Sequence, residues 1–203
     1  MGGSTVSRQI PKAHYTFADC LAWDESKHIE IIHGEAFVMS TPLRIHQEIL
    51  GELSRQLGNF LDGKTGEVIM GPFAVRLFEK DGDPPESVDT MVLPDISVIC
   101  DQSKLDEYGC KGAPEMVVEI LSPSTQRHDQ LVKLRLYQQA GVLEYWIVDP
   151  ENQTVRVMLL HEDGRFQLHE VYGCGDLAKV NTLDGCYIEL AKVFPARGIA
   201  PLQ

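Results

Sequence analysis

Two carboxylates inside apolar segments are the residues of this sequence best suited to chemistry. Asp95 lies in the segment LPDISVIC (93–100), and Glu119 lies in MVVEIL (116–121). Segments this rich in β-branched and large apolar residues are typical of buried strands. An ionised carboxylate in a buried strand costs several kcal/mol unless it is paired, protonated or bound to a cation. Each of these two acids therefore needs a partner elsewhere in the chain.

A divalent metal ion is one possible partner for both acids. If the two strands are neighbours in a sheet, the carboxylates can converge on one hard cation, and oxygen ligands favour Mg²⁺ or Mn²⁺. The alternative is structural, in that each acid caps the end of its strand or pairs with an arginine such as Arg76. The spacing of the two acids leaves both interpretations open.

A strand–helix–strand unit surrounds Glu119. The strand at 116–121 is broken at Pro123, because proline cannot extend a hydrogen-bonded ladder, and a helical segment then runs to Gly141. A second strand follows at 144–148, with the sequence EYWIV. A crossover of this kind predicts a parallel pair of strands at the centre of an α/β sheet.

The rest of the sequence predicts shorter elements on either side of this unit. In chain order these are a short helix capped by Thr16 and running to Ala22, a hairpin at 28–39 that turns at His33-Gly34, a helix at 43–61, a strand at 68–78 bent at Gly71-Pro72, loops at 81–89 and 101–112, and antiparallel strands at 155–160, 166–171 and 187–190. We expect residues 1–12 to form a flexible arm and residues 13–203 to form one mixed α/β domain.

Composition narrows the class of protein further. The chain has 203 residues, 43% of them hydrophobic and 24% charged, with a net charge of −12. This charge argues against broad, sequence-blind adhesion to nucleic acid or anionic lipid. There is no apolar run of 18 residues and no secretory pattern after Met1, and the five cysteines show no metal-ligand spacing. We therefore expect a cytoplasmic protein with reduced thiols and no membrane partner.

Several segments together resemble one known family. They are HIEIIHGE (28–35), LPDISVIC (93–100), GAPEMVVEILSPST (112–125) and HDQLVKLRLYQQAGVLEYWIVDP (128–150). The sequence resembles the PD-(D/E)XK nuclease superfamily and, more narrowly, the Uma2 family of restriction-endonuclease-like proteins. The resemblance implies a mixed β-sheet flanked by helices, with additional antiparallel strands, and a metal-dependent endonuclease activity.

One position departs from the superfamily pattern. Leu121 stands where those nucleases carry a lysine, two residues after the central acid, and that lysine is thought to stabilise charge near the attacking water. The resemblance points to Lys133 as the substitute, within Asp129-x-x-x-Lys133-x-x-x-Tyr137. This spacing places the three side chains on one face of a helix. Without the resemblance, Lys133 reads as a solvated lysine paired with Asp129.

The resemblance also brings in a third acid, Glu35. It could bind the metal directly or through water, or it could position Lys133. Taken alone, Glu35 reads as a solvated residue of the hairpin turn, and Glu30 is an alternative acid on the same hairpin. His46, on the long predicted helix, could contact a phosphate or support Glu35, although a lone histidine is more often a residue of the helix surface.

These residues make up an expected mechanism. Asp95, Glu119 and the backbone carbonyl of Ile120 hold Mg²⁺ or Mn²⁺, Lys133 supplies charge beside the nucleophile, and Glu35 completes the site. The expected substrate is nucleic acid, with DNA favoured, and a homodimer would let a twofold pair address both strands.

A second hypothesis starts from the same departure. Leu121 in place of lysine, together with the acidic net charge, favours a catalytically inactive module of the nuclease fold that binds nucleic acid or a protein partner. In a third, the chain dimerises through the exposed edge of the late strands at 155–171.

Overall fold

A computed structural model of the protein describes residues 13–23, 28–122 and 128–194, without the side chains of residues 128–130. The expected arm at 1–12 and the predicted break at Pro123 lie outside these residues. The helices of the described part are α1 (Phe17–Leu21), α2 (Arg44–Leu61), α3 (His128–Ala140) and α4 (Leu190–Val193). Its strands are β1 (Ile29–Ile32), β2 (Glu35–Val38), β3 (Glu67–Met70), β4 (Val75–Arg76), β5 (Ile96–Ile99), β6 (Leu105–Asp106), β7 (Gly109–Lys111), β8 (Met116–Ile120), β9 (Glu144–Asp149), β10 (Thr154–Leu160), β11 (Phe166–Gly173), β12 (Leu177–Lys179) and β13 (Tyr187–Glu189).

A six-stranded mixed sheet forms the centre of the molecule, in the order β11-β10-β9-β8-β5-β3. β8 and β9 are parallel, with Val118 opposite Trp146, and α3 connects them. The other neighbouring strands of this sheet are antiparallel. The strand–helix–strand unit predicted from the sequence is therefore confirmed, as is the mixed α/β class, and the two strands beside the candidate acids, β5 and β8, are neighbours.

Helices pack on both faces of this sheet. On one face, the apolar stripe of α2 (Ile49, Leu53 and Leu57) packs with the side chains of β5 and β8 that point that way. On the other face, Leu136 and Tyr137 of α3 pack with strand residues that include Val117. Because successive side chains of a strand point to opposite faces, Glu119 of β8 lies on the α3 side together with Val117. This alternation is the reason that Glu119 meets side chains of α3.

Several predicted elements are confirmed with small changes at their ends. Thr16 and Asp19 form a capping box at the start of α1. β1 and β2 form the predicted hairpin, and both turn residues, His33 and Gly34, have positive φ. The predicted helix at 43–61 is α2, for which Leu43 is the N-cap residue. No helix of the described residues is both long enough and apolar enough to cross a membrane.

The predicted single strand at 68–78 is wrong. It is two strands in different sheets, because β3 pairs with β5 whereas β4 pairs with β7. The chain leaves the central sheet at Gly71, where a Cβ atom would stand 2.7 Å from the carbonyl oxygen of Pro94. Such a close approach of two backbones requires glycine.

The prediction at 101–112 also needs correction, since this segment contains two short strands as well as loop. Cys110 of β7 pairs with Leu105 of β6 and with Val75 of β4, so the segment closes a three-stranded sheet. β12 was not predicted, and it pairs with β13 in a separate hairpin rather than extending the central sheet. Strands of two or three residues are too short to show a clear period of two in the sequence.

Candidate active site

A buried lysine is bonded to two buried acids between the sheet and α3. The Nζ atom of Lys133 donates hydrogen bonds to Oε1 of Glu119 and to Oε1 of Glu30, both at 2.9 Å. Only 8% of the Lys133 side chain, 3% of Glu30 and 13% of Glu119 is exposed. The solvated lysine that the helix pattern suggested is therefore not what the structure contains.

The spacing along α3 explains why two of its residues reach the same acid. Lys133 and Tyr137 are four residues apart on one helix face, and both bond to Oε1 of Glu119, with the hydroxyl of Tyr137 donating at 2.6 Å. The ring of Tyr137 in turn packs edge-to-face on Tyr145 of β9, with the ring centroids 5.1 Å apart. Two donors, the ammonium of Lys133 and the hydroxyl of Tyr137, thus hold Glu119 in one orientation, and both donors belong to a helix packed in the core.

The hairpin β1–β2 supplies the second acid through Glu30. Its Oε1 atom also accepts a hydrogen bond from the backbone N–H of Leu93, at 2.9 Å. Glu35 lies on β2, in an exposed position, and the structure pairs Lys133 with Glu30 rather than with Glu35. Glu30 stands between Ile29 and Ile31, so the signal that singled out Asp95 and Glu119, an acid inside an apolar run, also pointed to it.

Asp95 lies one residue before β5, and its side chain contacts a backbone N–H and a histidine. Its Oδ2 atom accepts a hydrogen bond of 2.7 Å from the backbone N–H of Ile120, which ties the start of β5 to the end of β8. The Nε2 atom of His46, on α2, lies 3.1 Å from Oδ1 and 3.2 Å from Oδ2. His46 is thus a buried partner of Asp95 and not a residue of the helix surface.

The structural alternative for the two acids involved Arg76, which proves to bind elsewhere. This buried guanidinium pairs with Glu79 and Asp106 and lies over the ring of Phe17. Asp95 and Glu119 therefore have His46 and Lys133 as their cationic partners in the described part of the chain.

Acids outnumber the lysine at this site, because Glu30 and Glu119 both bond to Lys133 and Asp95 lies close enough to raise the pKa of Glu119. Burial lowers the pKa of Lys133, but Glu119 and Glu30 outweigh that effect and hold it well above its usual value. Burial, with a contribution from Asp95 and Glu30, raises the pKa of Glu119 to about 7, against the opposing effect of Lys133 and Tyr137. The site therefore keeps its ammonium, and Glu119 takes up a proton at a higher pH than a solvated glutamate does.

His46 lies close to two of these acids, and their negative charges act on it. Burial alone lowers its pKa, but the hydrogen bond to Asp95 and the charges of Asp95 and Glu119 outweigh that effect and raise it, as does the backbone of Ile120. His46 thus bonds to Asp95 and to the backbone of Ile120, two of the groups expected to hold a metal ion. A cation at Asp95 would compete with His46 for the same oxygens.

A cavity of about 550 Å³ opens beside these groups, and its lining includes Asp95, Glu119, Ile120, His46 and Lys133. Ligand cavities in proteins typically have volumes of roughly 300–1,000 Å³. The four side chains and one backbone segment singled out above therefore share one space large enough for a small ligand or part of a larger one.

The donors at this cavity fit a hard divalent cation. Glu119 uses Oε1 for both of its hydrogen bonds, and Oε2 accepts none from the described residues. Carboxylate and carbonyl oxygens are the ligands that Mg²⁺ and Mn²⁺ favour. The described residues contain no group of three or more His, Cys, Asp or Glu side chains arranged to hold a metal. The expected protein ligands are two side chains, Asp95 and Glu119, and the backbone carbonyl of Ile120.

Leu121, at the position of the missing motif lysine, is buried in the apolar cluster that contains Leu136 and Tyr137. A lysine there would bring its charge from β8, whereas in this chain the ammonium beside Glu119 comes from Lys133 of α3. The spacing of Lys133 and Tyr137 indicates that both side chains lie on one face of the helix. Only the fold shows that this face is buried against Glu119.

The mixed sheet, with its helices and its acids at the β5–β8 edge of a cavity, places the chain in a known class of folds. A crystal structure from Anabaena variabilis, described as "a putative nuclease belonging to DUF820", is similar to this chain with a TM-score of 0.68. The sequence identity is 22%, and the match covers 89% of this chain and 97% of that one. That protein and this chain therefore share one class of fold, a mixed β-sheet with helices on both faces.

Sequence comparison identifies the family within that class. The model of the Uma2 family, described as "Putative restriction endonuclease", matches residues 17–191. The uncharacterized protein slr1290 of Synechocystis is 28% identical over 146 residues, which are 70% of this chain and 72% of that protein. The chain belongs to the Uma2 family, as its motifs indicated.

Proposed function

We propose that this protein is a metal-dependent nuclease that hydrolyses phosphodiester bonds in nucleic acid. The observation that carries the proposal is that Asp95 and Glu119, on neighbouring strands, line one cavity together with the buried ammonium of Lys133. In this proposal Asp95, Glu119 and the carbonyl of Ile120 hold Mg²⁺ or Mn²⁺.

A divalent cation bound at these oxygens would polarise the phosphodiester and lower the pKa of a water molecule. The chain's own residues prepare the site for that chemistry. Tyr137 and Lys133 fix the orientation of Glu119, and Glu30 keeps the ammonium of Lys133 charged and in place. That ammonium offers positive charge where the phosphate becomes more negative. In the hydrolysis, oxygen of water bonds to phosphorus, the P–O bond to the leaving oxygen breaks, and that oxygen takes up a proton.

The role of Glu35 stays a proposal of the same kind. It would complete the site as a third acid, acting on the metal through water. Its contribution can be separated from that of Glu30 by comparing Glu35→Gln with Glu30→Gln, since Glu30 is the residue bonded to Lys133.

Metal binding provides the first test of the proposal. We expect the melting temperature of the wild type to rise with added Mn²⁺ or Mg²⁺, because a ligand that binds only the folded state stabilises it, by about 2.7 kcal/mol at a hundredfold excess over Kd. The rise should be lost in the variant Asp95→Ala/Glu119→Ala. A thermal-shift titration of both proteins, after treatment with a chelator, measures this difference.

The control for this titration replaces two exposed acids, Glu151 and Asp184, with alanine. This variant should keep the full response of the wild type. If the wild type does not respond, or if the variant without Asp95 and Glu119 responds equally, no cation lies between those two acids.

An inactive nuclease-fold module remains the second candidate, and the observation in its favour is Leu121. Such a module would bind nucleic acid or a protein partner without cleavage. The position of Lys133 is an observation against this candidate. Its ammonium bonds to Glu119, so α3 supplies the positive charge that the missing motif lysine would have supplied. Metal binding without hydrolysis of single-stranded or double-stranded DNA and RNA would favour it.

We also propose that the chain acts as a homodimer on DNA. β11 pairs only with β10 among the described residues, so its other edge is open, and Leu168 and Val171 on this strand are exposed. An open edge strand with exposed apolar side chains readily pairs with another chain. Sedimentation should show a dimer at micromolar concentration and a shift towards monomer in Leu168→Lys/Val171→Lys. A wild-type monomer at all concentrations would contradict this prediction.

A further inference from the structure

The reacting groups are largely buried in the lining of the cavity and do not lie on an open surface. Only 13% of the Glu119 side chain and 8% of Lys133 is exposed, and 21% of Asp95. A phosphodiester must therefore enter the cavity to reach them. The backbone of a regular duplex follows the outside of a rigid cylinder, whereas an unpaired nucleotide can turn its phosphate and base inwards.

Apolar side chains form a large part of the rest of the cavity lining. They come from the segment between β2 and α2, which also contributes the polar residues Ser40 and Thr41, from the turn after β3 and from the segment before β5. Their members, called the apolar wall below, are Met39, Pro42, Leu43, Pro72 and Leu93. Apolar side chains of this kind accept the face of a base.

Leu43 is the most informative residue of this wall. It is the N-cap residue of α2, a position at which Ser, Thr, Asp and Asn are preferred, and its side chain makes no capping hydrogen bond. It is also 54% exposed, so it contributes little to the core. Neither the stability of the helix nor core packing accounts for leucine here, whereas contact with an apolar ligand face does.

We propose that the substrate is nucleic acid in which the nucleotide at the cleaved phosphate is unpaired, and that its base lies against the wall formed by Met39, Leu43 and Pro72. The inference rests on the nuclease function proposed above and names its substrate class. Single strands, loops and bulged positions of a duplex share this chemistry, and a fully paired duplex lacks it.

The test compares labelled oligonucleotides of one sequence in four forms: single-stranded, fully paired, paired with one bulged nucleotide, and single-stranded with abasic residues. Cleavage is measured with Mn²⁺, and binding by fluorescence anisotropy with Asp95→Asn protein. We expect the single strand and the bulged duplex to be cleaved at least about fivefold faster than the paired duplex, since contacts to one unpaired base contribute about that factor or more. The abasic strand should lose the advantage.

Leu43→Ser links this preference to the wall. Serine is favoured at an N-cap, so the variant should fold, and we expect affinity for the single strand to fall by about tenfold while affinity for the abasic strand is unchanged. Leu177→Ser is the matched control, because Leu177 is 61% exposed and belongs to β12, outside the cavity lining.

The outcomes separate this inference from the proposed function. Cleavage of the paired duplex as fast as the single strand, or equal effects of the two serine variants, would overturn the inference and leave the nuclease in place. Base-dependent binding of single strands that requires Leu43, without cleavage of any form, would remove the nuclease function and support the binding site. A protein that neither binds nor cleaves any of the four forms would contradict both.

Discussion

Asp95→Asn is expected to lose cleavage by about 10³-fold or more, which corresponds to about 4 kcal/mol of transition-state stabilisation. The amide keeps the shape of the side chain, and its oxygen can still accept the hydrogen bond from the N–H of Ile120. What it removes is the negative charge that would hold the cation. Single-turnover cleavage of a single-stranded oligonucleotide in Mn²⁺ measures the loss.

The design of this experiment separates charge from structure. Asp184→Asn removes the charge of an exposed residue outside the cavity and should leave the rate unchanged. The melting temperature of metal-free Asp95→Asn should stay close to that of the wild type. Full activity of Asp95→Asn would contradict the assignment of Asp95 as a metal ligand. A wild type that cleaves no substrate would instead support the inactive binding module.

Lys133→Met is expected to destabilise the folded protein by about 3–5 kcal/mol, because it leaves Glu30 and Glu119 buried without their cation. Methionine keeps most of the volume of the lysine stem, so the loss comes from the charge rather than from a cavity. For a protein of this size the melting temperature should fall by about 6–20 °C. Urea unfolding followed by tryptophan fluorescence measures the change in the free energy of unfolding.

The matched control is Lys192→Met. Lys192 bonds to Glu189 at 2.8 Å, but both side chains are about half exposed, and an ion pair in water contributes about 1 kcal/mol or less. Adding Glu30→Gln to Lys133→Met should recover part of the lost stability, because one buried charge is then removed along with its partner. Equal small losses in Lys133→Met and Lys192→Met would show that the buried ion pair does not exist in solution.

The pH dependence of the Lys133→Met effect has a defined sign. Lys133 lowers the pKa of Glu119, so its removal raises that pKa further above the value in the unfolded chain. A carboxyl group with a raised pKa in the folded state stabilises the fold when it is protonated, and this stabilisation is lost as the pH rises through that pKa. The destabilisation by Lys133→Met should therefore be largest near about pH 8 and smaller near about pH 5.

Much of the site was visible in the sequence because its residues violate the local pattern. Asp95 and Glu119 are acids within apolar runs, and burial makes such an acid costly unless something binds it. Glu30, between two isoleucines, obeys the same rule. The periods of two and of three to four residues that define β8, α3 and β9 are properties of short segments, so their crossover could be predicted as well.

The tertiary structure alone decided which of these residues meet. The bridge between Ile31 and Met91 docks the first hairpin so that Glu30, and not Glu35, reaches Lys133. The same docking converts Lys133 from a residue of a helix face into a buried cation. The packing of α2 on the sheet likewise brings His46 to Asp95.

The physical reason for this division is the range of the interactions involved. Periodicity and capping depend on neighbours within a few residues. The amino-acid sequence of each segment therefore determines its strands and helices, and it shows which acids need partners. The partners themselves lie on other elements, and the choice among them depends on which faces are buried against each other when the whole chain packs. The packing of the whole chain thus places Lys133 between two acids, in a cavity that the apolar wall also lines.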